Sequence, residues 1–130
     1  MLKFIHLLLA LPLIPLAAAQ APAPQGADNA DKEVRCEVRA TPMPGGVQLD
    51  GIVLSPEALS GSYAFEVRKQ GAAGTSRTMQ SGDFEAAADE ESVLGQVGLG
   101  LDRGASYEAE LTIRWRGGET DCVKRHPDRV

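Results

Sequence analysis

LDRGASYEAELTIRW, residues 101–115, alternates without a break from Tyr107 onward. Tyr107, Ala109, Leu111, Ile113 and Trp115 fall on one side, and Glu108, Glu110, Thr112 and Arg114 on the other. A period of two with one apolar face predicts an antiparallel strand that lies over a core and shows its other face to water. Gly117-Gly118 follows at once, and two glycines suit a type I′ hairpin turn, which needs positive φ at both central positions. That turn sets Arg116 opposite Glu119, Arg114 opposite Asp121, and Ile113 opposite Cys122. The two opposite-charge pairs then lie outside, each contributing ~0.2–1 kcal/mol, and Cys122 points inward.

The residues before the strand carry a second signal. Leu101, Gly104 and Tyr107 share the spacing of the tyrosine corner of β-sandwiches, where a Tyr hydroxyl bonds back to the backbone a few residues upstream. The plainer reading makes Tyr107 one more core aromatic. Further out, Glu33 to Thr41 alternates Val34, Cys36 and Val38 against Arg35, Glu37 and Arg39, giving a first strand that ends at the breaker 42–46. Val47 to Leu54 is a second strand, with Gly51 at an expected bulge. Residues 55–60 are a connection with room for one helical turn. Gly61 to Gln70 is a third strand, with Tyr63, Phe65 and Val67 inward. Thr75 to Gly82 is polar apart from Met79 and suits an edge, and Phe84 plugs the core. Glu85 to Glu91 reads as a short helix or an exposed loop. Ser92 to Leu99 is the fifth strand, the corner strand the sixth, and Gly118 to Lys124 the seventh. Seven short strands with no long amphipathic helix predict an all-β, seven-stranded immunoglobulin-like β-sandwich.

The N-terminus is of another kind. Lys3, the apolar run from Phe4 to Leu16 and Ala17-Ala18-Ala19 have the layout of a secretory signal peptide cut after Ala19. The run is too short for a typical spanning helix, and no Cys follows it to carry a lipid. The organisation expected is a signal peptide over 1–19, a flexible lead-in over 20–32, a folded domain over 33–124 and a charged tail over 125–130. Formal net charge is −5, and loss of Lys3 with the leader makes it more negative. An acidic balance argues against a nucleic-acid partner and favours solubility. Cys36 and Cys122 both outlast cleavage, and an even count in an exported chain reads as one disulfide. They are too far apart in sequence for a Cys-x-x-Cys redox motif or a zinc knuckle.

Few residues offer chemistry. His6 leaves with the leader and His126 sits near the C-terminus, so neither a His-based triad nor a His-ligated metal is expected. Asp89, Glu90 and Glu91 could ligate calcium, but consecutive acids more often form a solvated turn. The glycines lack phosphate-loop spacing, and Glu108 and Glu110 share one exposed strand face. No catalytic residue, metal or cofactor is expected, and the chain reads as a non-enzyme. The outward strand positions stand out instead: Arg35, Glu37 and Arg39, then Glu66 and Arg68, then Glu108, Glu110 and Arg114, with Lys69 and Arg77 near a turn. Charge there keeps sheets soluble and keeps strands from pairing with other strands. A surface that touches foreign β-strands without joining them needs the same chemistry.

Several stretches resemble the CsgH branch of the curli assembly proteins. They are CEVRATP from Cys36, GGV at 45–47, FEVRK from Phe65, SGDF from Ser81 and LGQVGLGL from Leu94, and the likeness spans about 33–124. It implies a periplasmic, non-enzymatic, chaperone-like inhibitor of curlin amyloid polymerisation. Such a protein would act as a monomer in transient contact with curlin subunits, away from the membrane once the leader is cut. CsgC-type relatives can carry a Cys-x-Cys pair; here Cys36 is followed by Glu37 and Val38, so thiol exchange is not expected. The client-binding candidates are Arg35, Arg39, Arg68, Lys69 and Arg114. The alternative is a periplasmic or cell-surface β-sandwich binding module without anti-amyloid activity, since the fold alone does not separate the two.

Overall fold

A computed structural model describes residues 33–128. The leader 1–19, the lead-in 20–32 and the last two residues lie outside the described residues. Seven strands follow in order: β1 (Arg35–Met43), β2 (Gly46–Leu54), β3 (Leu59–Gly71), β4 (Gly74–Ala86), β5 (Ser92–Gly100), β6 (Ser106–Trp115) and β7 (Gly118–His126). They form a three-stranded sheet in the order β1-β2-β5 and a four-stranded sheet in the order β4-β3-β6-β7, every neighbour antiparallel. This is the expected sandwich. Leu49 and Val53 of one sheet and Phe65, Val67, Leu111 and Ile113 of the other are fully buried between them. Each comes from an alternating run, so strand period alone put it inside. A Cβ on Gly51 would lie 3.3 Å from a Leu111 methyl and 3.6 Å from the Phe65 ring. Glycine there lets the two sheets close up.

The sheets are also joined covalently. Cys36 on β1 is bridged to Cys122 on β7, with Cα atoms 5.9 Å apart and a sequence separation of 86. Both strands are edges, one from each sheet. The expected disulfide is present.

Several local expectations are corrected. The β6–β7 turn is Arg116-Gly117, so Trp115 pairs with Gly118, Arg114 with Glu119, Thr112 with Asp121 and Leu111 with Cys122. Neither Gly117 nor Gly118 has positive φ, which rules out a type I′ turn. The glycines serve closeness instead: a Cβ on either would come within 3.1 Å of the Trp115 indole, which lies over the turn. β1 runs on through Pro42 to Met43, because β1 is an edge and tolerates a proline. The chain reverses at Pro44-Gly45, where Gly45 has φ 74°, the type II arrangement of Pro then left-handed Gly. The bulge opposite Gly51 exists, but the extra residue is Leu94 on β5. Residues 55–58 hold no helical turn. The buried Ser55 instead accepts the Glu57 N–H on its hydroxyl (3.3 Å) and the Asp89 N–H on its carbonyl (2.7 Å). β4 extends to Ala86 and includes Phe84, and residues 87–91 are a loop with Asp89 at φ 60°. β7 reaches His126, so Arg125 and His126 belong to a strand and not to a tail.

The corner before β6 has the expected turn without the expected bond. Gly104 sits at φ 84°, and the Ala105 N–H donates to the Asp102 carbonyl at 3.0 Å. Tyr107 is buried, but its hydroxyl makes no hydrogen bond among the described residues. Its ring stacks on His126, centroids 5.3 Å apart and planes 11° apart. The longer β7 supplies that partner. Burial, aided by the charge of Asp128, raises the Tyr107 hydroxyl above its ordinary pKa.

Candidate interaction surface

Strand period decides which charges share a face. On the outer face of the four-stranded sheet, the register aligns Arg77, Arg68, Glu108 and Arg125 in one row across β4, β3, β6 and β7. The next row is Met79, Glu66, Glu110 and Val123. Arg68 thus faces Arg77 and Glu66 faces Glu110, like charges directly opposite, an arrangement that is unfavourable by itself. Other contacts relieve it: Glu66 receives Arg77 diagonally, at 3.0 Å, and Arg68 along its own strand, and Arg125 pairs with Glu108 directly opposite at 3.1 Å. The hydrogen bond from Arg77, reinforced by Arg68, holds the Glu66 carboxyl below its usual range. Two guanidinium groups therefore share one carboxylate, and Glu110 has no ion pair among the described residues.

Farther along the same face lies a shallow depression floored by Ser62, Ala64, Ser81, Gly82 and Thr112, with Asp83 and Arg114 at its rim. Arg114 is neutralised across the hairpin by Glu119 at 3.0 Å. The one-step change in the turn creates that pair.

The outer face of the three-stranded sheet is built differently. Arg39 on β1 reaches Glu91, just before β5, with a bidentate contact of 2.9 and 3.1 Å, and also bonds Glu37 at 3.0 Å. A guanidinium that bridges β1 to the start of β5 must cross β2. Ile52 lies under that crossing, between Glu37 and Val93, and is 3% exposed although it points away from the core. The hydrogen bond and charge of Arg39 lower the Glu91 carboxyl below its ordinary range. Glu91 thus has both oxygens engaged, and no group of three or more His, Cys, Asp or Glu is placed to hold a metal among the described residues.

The five client-binding candidates do not come together. Arg35 and Arg39 lie outside the three-stranded sheet, and Arg68 and Arg114 lie outside the four-stranded one, near opposite ends of β6. Lys69 has the inward phase of Phe65 and Val67 and pairs with Tyr107 at the end of the sandwich. Arg77 and Arg125, which flank Arg68 and Glu108, were not among the candidates. Arg125 could have been found by extending the β6–β7 register past Lys124.

Comparison with known proteins decides the family. The family model described as CsgH protein matches residues 35–125, most of the chain and nearly all of its folded part. The chain belongs to the CsgH family. The solution structure of R. palustris CsgH is similar at 36% identity and a TM-score of 0.62, covering 70% of this chain and 90% of that one. The structure of the E. coli curli protein CsgC has a TM-score of 0.61 and 14% identity, covering 74% of this chain and 100% of its own, so it shares the fold. No match is found among curated proteins.

Proposed function

We propose that the domain is a periplasmic, chaperone-like protein that holds curlin, the curli subunit, back from amyloid polymerisation. Membership of the CsgH family across residues 35–125 carries this reading. The fold shared with a protein named for curli supports it. So does a cross-sheet disulfide, which belongs to an oxidising compartment such as the periplasm. The physical basis is the charged strand surface. Growing amyloid recruits strands through unpaired edges and dry side-chain zippers. A sheet face carrying Arg68, Arg77 and Arg125 attracts polar segments electrostatically but resists burial of its own charge in a dry interface. Contact is then transient and weakens with salt. With Cys36 and Cys122 bonded to each other, the activity needs no free thiol.

The test is curlin fibrillation followed by dye fluorescence, with the mature protein at sub-stoichiometric amounts. The lag should lengthen. A folded Cys36→Ala/Cys122→Ala variant should lengthen it as well, and Arg68→Glu/Arg77→Glu should shorten that extension. No delay by the unaltered protein would remove the inhibitor reading and leave a β-sandwich binding module.

A further inference from the structure

Each sheet edge in a sandwich displays unpaired backbone groups, and natural sheets blunt these with charge, proline or cover. β1 carries Pro42 in the strand and the bridge at Cys36. β7 carries Glu119, Asp121 and Arg125, and β4 carries Arg77, Asp83 and Glu85. β5 is different. From Gln96 to Gly100 it reads QVGLG, with no ionisable side chain. It is covered at one point by a side chain from the other sheet. The Gln80 amide on β4 donates to the Gln96 carbonyl at 2.8 Å and accepts the Gln96 N–H at 3.1 Å. Those two bonds are what the backbone N–H and C=O of one facing residue on an adjacent antiparallel strand would supply.

The bonds also fix the phase of the edge. In an antiparallel pair, residues alternate between directing both backbone groups at the partner and directing both away. Gln96 directs both at Gln80, away from its β2 partner Asp50. Leu101 donates to the Gly45 carbonyl at 2.9 Å, which continues the inward-bonded series through Leu99 and Val97. Gly98 and Gly100 therefore present N–H and C=O outward, and neither group has a partner among the described residues. At Gly100 even an added Cβ would meet open space, and at Gly98 it would touch only the Met43 methyl at 3.6 Å. Gly95 keeps the clamp in place, because a Cβ there would lie 2.8 Å from the Gln80 side-chain oxygen.

We propose that the β5 edge from Gln96 to Gly100 is a strand-addition site for an uncharged, extended segment of the curlin client. An amide already occupies the first position, which identifies a peptide backbone as the group that fits. The absence of charge from Gln96 to Gly100 and the open space beside Gly98 and Gly100 favour an uncharged strand that continues the ladder begun by Gln80 and Gln96. Beyond Gly100 the chain turns off into the corner, so the added strand is short and cannot template a fibre. The partner named here rests on the curlin reading above.

Two measurements on the mature domain separate this proposal from that reading. The first is amide hydrogen exchange of the domain with and without freshly desalted curlin monomer. Protection should appear at Gly98 and Gly100. The second is the fibrillation lag with Gly98→Pro, which removes an outward N–H without touching the β2 ladder, and with Gly100→Lys, which puts a charge on the edge where there is room. Each folded variant should need about tenfold more protein for the same delay. Protection without any delay by the unaltered domain keeps the edge site and removes the inhibitor reading. A delay with no protection at Gly98 and Gly100, or both variants acting like the unaltered domain, overturns the edge site and keeps the inhibitor. If Gly98→Pro fails to fold, Gly100→Lys and the exchange data decide.

Discussion

Cys36→Ala/Cys122→Ala removes a staple whose contribution follows from the structure. The bridge closes a loop of 86 residues. In the chain-entropy model, opening a loop of that length returns about 4–5 kcal/mol of conformational freedom to the unfolded chain, and measured values often fall below this. For a domain whose whole stability is of the order of 5–15 kcal/mol, that is a large share. Position adds to length. The bridge joins the outer strands of opposite sheets, so its loss frees β1 and β7 to fray together along one side of the sandwich. Urea unfolding of the two proteins, followed by Trp115 fluorescence, measures the difference. The variant's midpoint should fall, and its m-value should rise, because an unbridged unfolded chain exposes more surface. A reduced wild-type sample should match the variant. An unchanged midpoint and slope would refute the argument, since it would mean that the unfolded chain is equally restricted without the bridge.

Tyr107→Phe should change stability by only about 0.5 kcal/mol or less, because the hydroxyl has no bond to lose, whereas Tyr107→Ala should cost about 3 kcal/mol or more by leaving a cavity and unstacking His126. Thermal melts of both variants check this, and a large loss in the Phe variant would restore a hydroxyl bond to the corner. Glu66 and Glu91 both have carboxyls lowered by arginine partners. A lowered folded-state pKa stabilises above the unfolded value, near 4.5, and that stabilisation fades as pH falls through the folded value. Arg39→Met should therefore move the Glu91 titration, read by NMR, upward to the ordinary range while leaving Glu66 in place. A Glu91 titration that does not move would break the assigned pairing.

Why the fold could be read and the surface could not comes down to what a two-residue period records. In β6 one face is wholly apolar, so the strand, its neighbours and the inward direction of Cys122 follow from alternation. Even the misplaced turn did little harm: moving a two-residue turn by one position moves the partner by two, which preserves the face. The disulfide was therefore legible while the ion pairs were not, and Arg114 found Glu119 in place of Asp121. Alternation also cannot say which of two sheets an outward residue covers. Arg39 and Arg68 look equivalent in sequence, yet they lie on opposite sides of the molecule. The role of Gln80 was hidden for a different reason. β4 is polar from Thr75 to Gly82 apart from Met79, and only the inward phase that Gln80 shares with Phe84 hints that its amide turns toward the other sheet.

Separation of the charged faces from the neutral edge has a consequence for how a client can be held. A segment drawn to the Arg77–Arg68–Arg125 row meets cations already shared with Glu66 and Glu108, so the attraction is short in range and sensitive to salt. It offers no hydrogen-bond ladder, because in that row the backbones of β3 and β6 are already paired within the sheet. The β5 edge offers the opposite: directional backbone bonds with no charge to steer an approach. Arg77 and Gln80 lie on the same strand, three residues apart, with side chains on opposite faces. On the proposed function, a client held at the cationic row lies along the strand whose Gln80 already bonds the neighbouring sheet. On this geometry salt acts on the rate of encounter, and substitution at Gly98 or Gly100 acts on the lifetime of what is formed.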